Sequence, residues 1–183
     1  MPSKPNRGPS AAAENRAALV AAARDVFGEH GVDAPLSRVA REAGVGQGSL
    51  YRHFPTRVAL AYAVLDENTR QVEDLARQPG STLREVTDLI THQIEGNATL
   101  ISRTTHEGDP ELRPLEVRIG AALAPKVAEA RAAGQVAAEV TVDDILLAVG
   151  LLAALAARVP VADRHTRVEA AWELLMRGLA PRA

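Results

Sequence analysis

The run Gly44-Val45-Gly46-Gln47-Gly48-Ser49-Leu50-Tyr51-Arg52-His53-Phe54 constrains this chain more than any other segment. Just ahead of it, Leu36, Val39, Ala40 and Ala43 recur at the spacing of one helix face. Gly44 then supplies a residue that leaves a helix with positive φ at no steric cost. A helix, a tight turn and a second helix are the expected result. The second helix carries Gln47, Ser49, Tyr51, Arg52 and His53 within seven positions. So many hydrogen-bonding side chains on one short helix suit phosphates and base edges, as in a helix that enters a DNA groove.

The 183 residues allow one domain of ordinary size or a small module joined to a larger one. There is no cysteine, and the five histidines show no close pairing, so disulfides, thiolate metal sites and other metal centres are not expected. No apolar run approaches the ~18 residues of a membrane span. The opening Met-Pro-Ser-Lys-Pro-Asn-Arg-Gly-Pro-Ser lacks an apolar signal core. A soluble cytoplasmic protein without a membrane partner is the expectation. The formal net charge of −2 argues against nucleic acid until its distribution is read. Residues 1–60 hold eight basic and five acidic side chains, and the remainder thirteen and eighteen. The excess positive charge lies with the Gly44–Phe54 run.

Periodicity makes the whole chain helical, with no strand pattern and no internal repeat. Residues 1–12, rich in Pro, Ser, Gly and basic side chains, read as a flexible basic arm. Residues 13–57 read as a helix-turn-helix domain whose first helix, about Ala13 to His30, carries Leu19, Val20, Ala23 and Phe27 on one face. For the second helix, Pro35 suits the first helical turn and Asp33 is the expected cap. Residues 58–79 read as a connecting helix, capped by Thr56 and carrying Val58, Ala61, Leu65, Val72 and Leu75.

Residues 80–183 read as a second helical domain. There Thr82 and Glu85 form a capping box ahead of Val86, Leu89, Ile90, Ile94 and Ile101, and Gly108-Asp109-Pro110 breaks the chain. Leu115 to Ala130 gives a helix that Pro125 must kink or divide, ending at Gly134. From Ile145 to Ala157 the chain is apolar on every side, which predicts burial all round. Because a domain of this size has limited capacity to cover such a helix, a second subunit is expected to help. A final helix runs from about Arg164 to Leu179.

The stretch from about Asn15 to Leu65 resembles the DNA-binding domain of the TetR family of bacterial transcriptional regulators. The resemblance rests on Ala22, Ala23 and Phe27 before Gly31, on Val39-Ala40-Arg41-Glu42-Ala43-Gly44-Val45, on Ser49-Leu50-Tyr51-Arg52-His53-Phe54, and on Arg57 with Leu60. It implies an all-α fold: an N-terminal three-helix helix-turn-helix domain and a C-terminal helical unit for ligand sensing and dimerisation. It implies a homodimer, usually a repressor, that binds a near-palindromic double-stranded DNA operator and is released by a small-molecule effector. Ser49, Tyr51, His53 and Arg57 match family positions that hold the DNA backbone. Gln47 suits adenine N6 and N7, Arg52 suits guanine or a phosphate, and Gly46 and Gly48 suit close approach to DNA, the alternative being that Gly46 lies in the turn.

For the effector, Asn97 and Thr105 continue the Ile90-Ile94-Ile101 line, and Gln93 and Trp172 are further polar candidates. With few aromatic residues the pocket wall is expected to be aliphatic and the effector apolar or amphipathic. The alternative is a helical enzyme, or an interaction adaptor whose helix-turn-helix does not bind DNA. Against an enzyme stands the lack of a P-loop, a Gly-x-Ser-x-Gly or a His-Glu-x-x-His. Neither catalytic residues nor a cofactor are expected.

Overall fold

The computed structural model describes residues 9–106 and 113–181, without the side chains of 9–10, 98–99 and 101–106. Among the described residues there are eight α-helices and no strand: α1 (Pro9–His30), α2 (Leu36–Glu42), α3 (Gln47–His53), α4 (Arg57–Arg77), α5 (Leu83–His106), α6 (Arg113–Ala132), α7 (Val142–Ala156) and α8 (Val161–Leu179). Residues 1–8 of the expected arm, the Gly108-Asp109-Pro110 break and the side chains of Ile101 and Thr105 lie outside the description.

Local chemistry sets most helix ends. The Oγ1 of Thr56 accepts from the Ala59 N–H at 3.0 Å before α4. Thr82 and Glu85 close the capping box of α5, each backbone N–H donating to the other's side chain at 2.8 and 3.2 Å. Thr141 and Asp144 do the same for α7 at 2.8 and 3.3 Å. Gly44 ends α2 with φ of 64°, and the Val45 N–H reaches back to the Ala40 carbonyl at 2.9 Å, the closure that a left-handed glycine makes possible.

Four expectations need correction. The helical chain begins at Pro9, so residues 9–12 belong to α1 and not to an arm. The start of α2 is not capped by Asp33, because Pro35 itself takes the cap position at φ −59° and ψ 130°, and its carbonyl closes the first turn on the Arg38 N–H at 2.9 Å. Pro125 does not divide its helix, and α6 runs through it. The non-helical residue lies instead in α5, at Asn97, with φ −129° and ψ 24°. Finally, α7 is not buried all round. Ile145, Ala148, Leu152, Ala153 and Ala156 face the core, whereas Leu147 and Leu151 are 64% and 53% exposed. An apolar composition on every side thus serves two faces.

The chain divides into two compact units, residues 1–64 and 65–183, with the division inside α4. In the first, Leu19, Ala23, Phe27, Val39, Leu50 and Leu60 are fully buried or nearly so. In the second, α5 packs against α6, α7 and α8 around Val86, Ile90, Ile94, Leu123, Ile145, Leu152, Val168 and Trp172. Arg118 of α6 is bidentate to Glu73 at 2.8 and 2.9 Å and reaches Asp66 at 2.6 Å, which fastens α6 to the part of α4 in this unit.

These contacts have a pH signature. Hydrogen bonds from Thr82 and Thr141 hold the Glu85 and Asp144 carboxyls below their usual values, and the Arg118 guanidinium does the same for Glu73. A carboxyl depressed on folding contributes stability above its unfolded pKa and loses it as pH falls through the folded one. The melting temperature is therefore expected to drop as pH falls from about 5 toward 2. In the Glu85→Gln/Asp144→Asn variant, melting curves across that range should show a shallower slope.

Candidate nucleic-acid interface

Helix α3 begins after Gly46, whose backbone is extended at φ −63° and ψ 142° and whose carbonyl accepts the Ser49 and Leu50 N–H groups at 2.9 and 3.1 Å. Gly46 therefore lies in the turn, and only Gly48 carries a helical glycine penalty. A seven-residue helix has one side to anchor and one to present. Leu50, with 0% exposure, is the anchor, and Phe54, at 3%, closes the far end with its N–H on the Leu50 carbonyl at 2.8 Å. Gln47, Gly48, Tyr51 and Arg52 are exposed and share the opposite face, while Ser49 and His53 are half-buried at its edges. The His53 ring lies 6.4 Å from that of Phe54, and the Arg16 guanidinium of α1 sits 5.2 Å over the Phe54 ring. A Cβ added at Gly48 would meet no atom within 4 Å, so packing within the protein does not require glycine there.

Arg57 has a structural role within the first unit. Its Nη1 donates to the backbone carbonyls of Val32 and Ala34, the latter at 2.6 Å, and so ties the start of α4 to the α1–α2 connection. The reason is local: the chain between Gly31 and Leu36 leaves carbonyls without helical partners, and a half-buried guanidinium meets them.

Of the expected effector residues, Gln93 and Asn97 lie one turn apart on α5 and Trp172 lies on α8. Gln93 is half-buried, and its Nε2 donates to the Asn68 carbonyl at 3.2 Å and to the Gln71 Oε1 at 3.1 Å. Asn97 is 2% exposed and its Nδ2 donates to the Gln93 carbonyl at 3.2 Å. Trp172 is buried in the core of the second unit, its Nε1 without a partner. An open cavity of about 250 Å³ does lie against Pro125, but Glu73, Ala76, Arg77, Arg118, Ala121 and Ala122 complete its wall, and none of the expected residues lines it.

Asn68 and Arg164 are among the buried polar residues that the sequence does not single out. Asn68 is 5% exposed and falls in the gap of the Ala61, Leu65, Val72, Leu75 line, a polar residue on an apolar stripe that periodicity exposes. Arg164 is 8% exposed, donating to the Ala156 carbonyl at 3.1 Å and to that of Glu95 at 2.9 Å. Nothing in its spacing announced that.

Comparison with known proteins bears on this geometry. Residues 19–64 match the family described as "Bacterial regulatory proteins, tetR family". A TetR transcriptional regulator from Streptomyces coelicolor is 32% identical, with a TM-score of 0.68, over 92% of this chain and 99% of that one. A TetR transcription regulatory protein from Mycobacterium vanbaalenii is 29% identical, with a TM-score of 0.66, over 93% and 98%. The A-factor receptor protein of Streptomyces griseus is 41% identical over 71 residues, which is 38% of this chain but 25% of that protein. The chain thus spans about a quarter of the A-factor receptor's length.

Arg57→Met should lower the stability of the first unit by about 1–2 kcal/mol, since carbonyls hydrogen-bonded to a charged donor lose it. Thermal melts measure the loss, and an unchanged melting temperature would show that these bonds do not hold the connection.

Proposed function

The chain belongs to the TetR family of bacterial transcriptional regulators, and on that premise we propose that it is a cytoplasmic repressor. As a homodimer it binds a near-palindromic operator in double-stranded DNA and releases it when a small apolar or amphipathic molecule occupies the second unit. The observation that carries this reading is the exposed Gln47, Gly48, Tyr51 and Arg52 face on a helix anchored by Leu50. In this reading Gln47 pairs with a base edge, Arg52 meets guanine or a phosphate, and Ser49, Tyr51 and His53 hold the backbone. Gly48 lets the DNA approach, and Arg57 joins the backbone contacts with the donors that its bonds to residues 32 and 34 leave available. No catalytic group or cofactor is needed for this work, and among the described residues no helix is long and apolar enough to cross a membrane.

Leu147 and Leu151 of α7 and Leu174 of α8 are large apolar side chains turned out of the subunit, with Gly150 beside them on the outer face of α7. We assign this surface to the homodimer contact, which supplies the twofold axis that half-site readers use. An effector held near Gln93 and Asn97 acts by preferring one of two dimer states, since differential affinity alone shifts such an equilibrium.

Electrophoretic mobility shift with genomic fragments tests the reading, and an unshifted pattern across the genome would sink it. Once an operator is in hand, Gln47→Ala should cost ~1–3 kcal/mol on it and little on random DNA. Gly48→Ala should behave oppositely, stabilising the free protein by up to about 1 kcal/mol while weakening binding to every sequence.

Leu147→Asp and Leu174→Asp should each give a folded monomer, because both side chains already lie outside the subunit core. Sedimentation would show the monomer; a dimer persisting in both variants would place the contact elsewhere.

A further inference from the structure

Asn68 on α4 and Asn97 on α5 are the two buried asparagines of the second unit. Neither has its amide satisfied. Both polar atoms of the Asn68 side chain and the Oδ1 of Asn97 are buried without a partner. The two residues bracket Gln93, which donates to the Asn68 carbonyl and accepts, through its own carbonyl, from Asn97. At Asn97 the α5 backbone also departs from helical geometry. Leaving one amide atom dry and unpaired costs as much as a hydrogen bond gains, and three such atoms on two residues that Gln93 links need a compensating partner. The adjoining stripes are aliphatic, with Val72 on α4 and Ile90 and Ile94 on α5 all buried.

We propose that Asn68 and Asn97 form the polar end of a ligand site that takes an uncharged head group bearing both a hydrogen-bond donor and an acceptor, carried on an aliphatic body. The proposal rests on the regulator reading above and names the chemistry of its effector. The unpaired set is one amide NH₂ and two amide carbonyl oxygens. An N–H or O–H of the ligand meets a carbonyl, and a ligand oxygen meets the NH₂. A carboxylate would set its charge against two acceptors, and an ammonium would leave the NH₂ unmet. A primary amide or a hydroxyl beside a carbonyl satisfies both demands.

The test is isothermal titration of the full-length protein at neutral pH with octanamide, octanoate and octylammonium, which share one tail. Octanamide should bind at least about tenfold more tightly than either ion, the ratio that one unpaired buried polar group imposes. Asn68→Leu and Asn97→Leu should each weaken octanamide about tenfold while keeping the helical circular dichroism. Equal or tighter binding of octanoate or octylammonium overturns the assignment. So does octanamide affinity that survives both substitutions, or the absence of binding by any of the three, which would leave the amides to ordered water. Should either variant unfold, the comparison of head groups on the wild-type chain decides alone. A mobility shift run in parallel separates the two readings. DNA binding without octanamide binding removes only the site, and loss of DNA binding removes the regulator whatever octanamide does.

Discussion

A helix of seven residues does not persist in water by itself, because nucleation costs more than so few hydrogen bonds return. Everything that α3 presents therefore depends on the burial of Leu50 and Phe54 against the first unit. Burying a leucine completely contributes about 1.5–3 kcal/mol, comparable to the whole margin on which so short an element stands. The turn before it contributes in a different way. Gly44 at φ 64° lets α2 finish on its own carbonyls, which delivers Gly46 in the extended conformation from which α3 starts. Tertiary contacts thus hold a helix whose exposed side is free to carry polar groups.

The second unit solves a different problem, that of an apolar α7 in a unit of modest size. Its inner residues Ile145, Leu152 and Ala156 are covered by neighbouring helices, and the outer leucines are left to a second copy in our reading. Small residues occur on both faces: Ala148, Ala153 and Ala156 are spent on packing inside the subunit, and only Gly150 lies fully outward. In that reading the interface is built from large side chains as well as small ones.

Much of this was legible from the residues. The capping box at Thr82, the cap at Thr56 and the stop at Gly44 are local devices, and the structure has each where the spacing predicts it. What stayed hidden depends on contacts between segments far apart in the chain. The hold of Arg57 on residues 32 and 34, and of Arg164 on residues 95 and 156, has no periodic signature. Pro125 misled because a missing N–H breaks one hydrogen bond without ending a helix that packing supports. Asn97 carries a second role that spacing does not show. An asparagine on an apolar stripe reads as a polar contact, yet its amide also turns back to the carbonyl one turn earlier and competes with the backbone for it.

The bonds from Arg57 to the Val32 and Ala34 carbonyls have a mechanical meaning as well. They join the first turn of α4 to the connection that precedes α2, while Arg16 of α1 rests on Phe54 at the end of α3. Four helices are thereby stitched at points away from the reading face. A torque applied to the start of α4 is therefore carried to Gln47, Tyr51 and Arg52 together, as a lever turns its whole head, and α3 is not peeled away from its anchor.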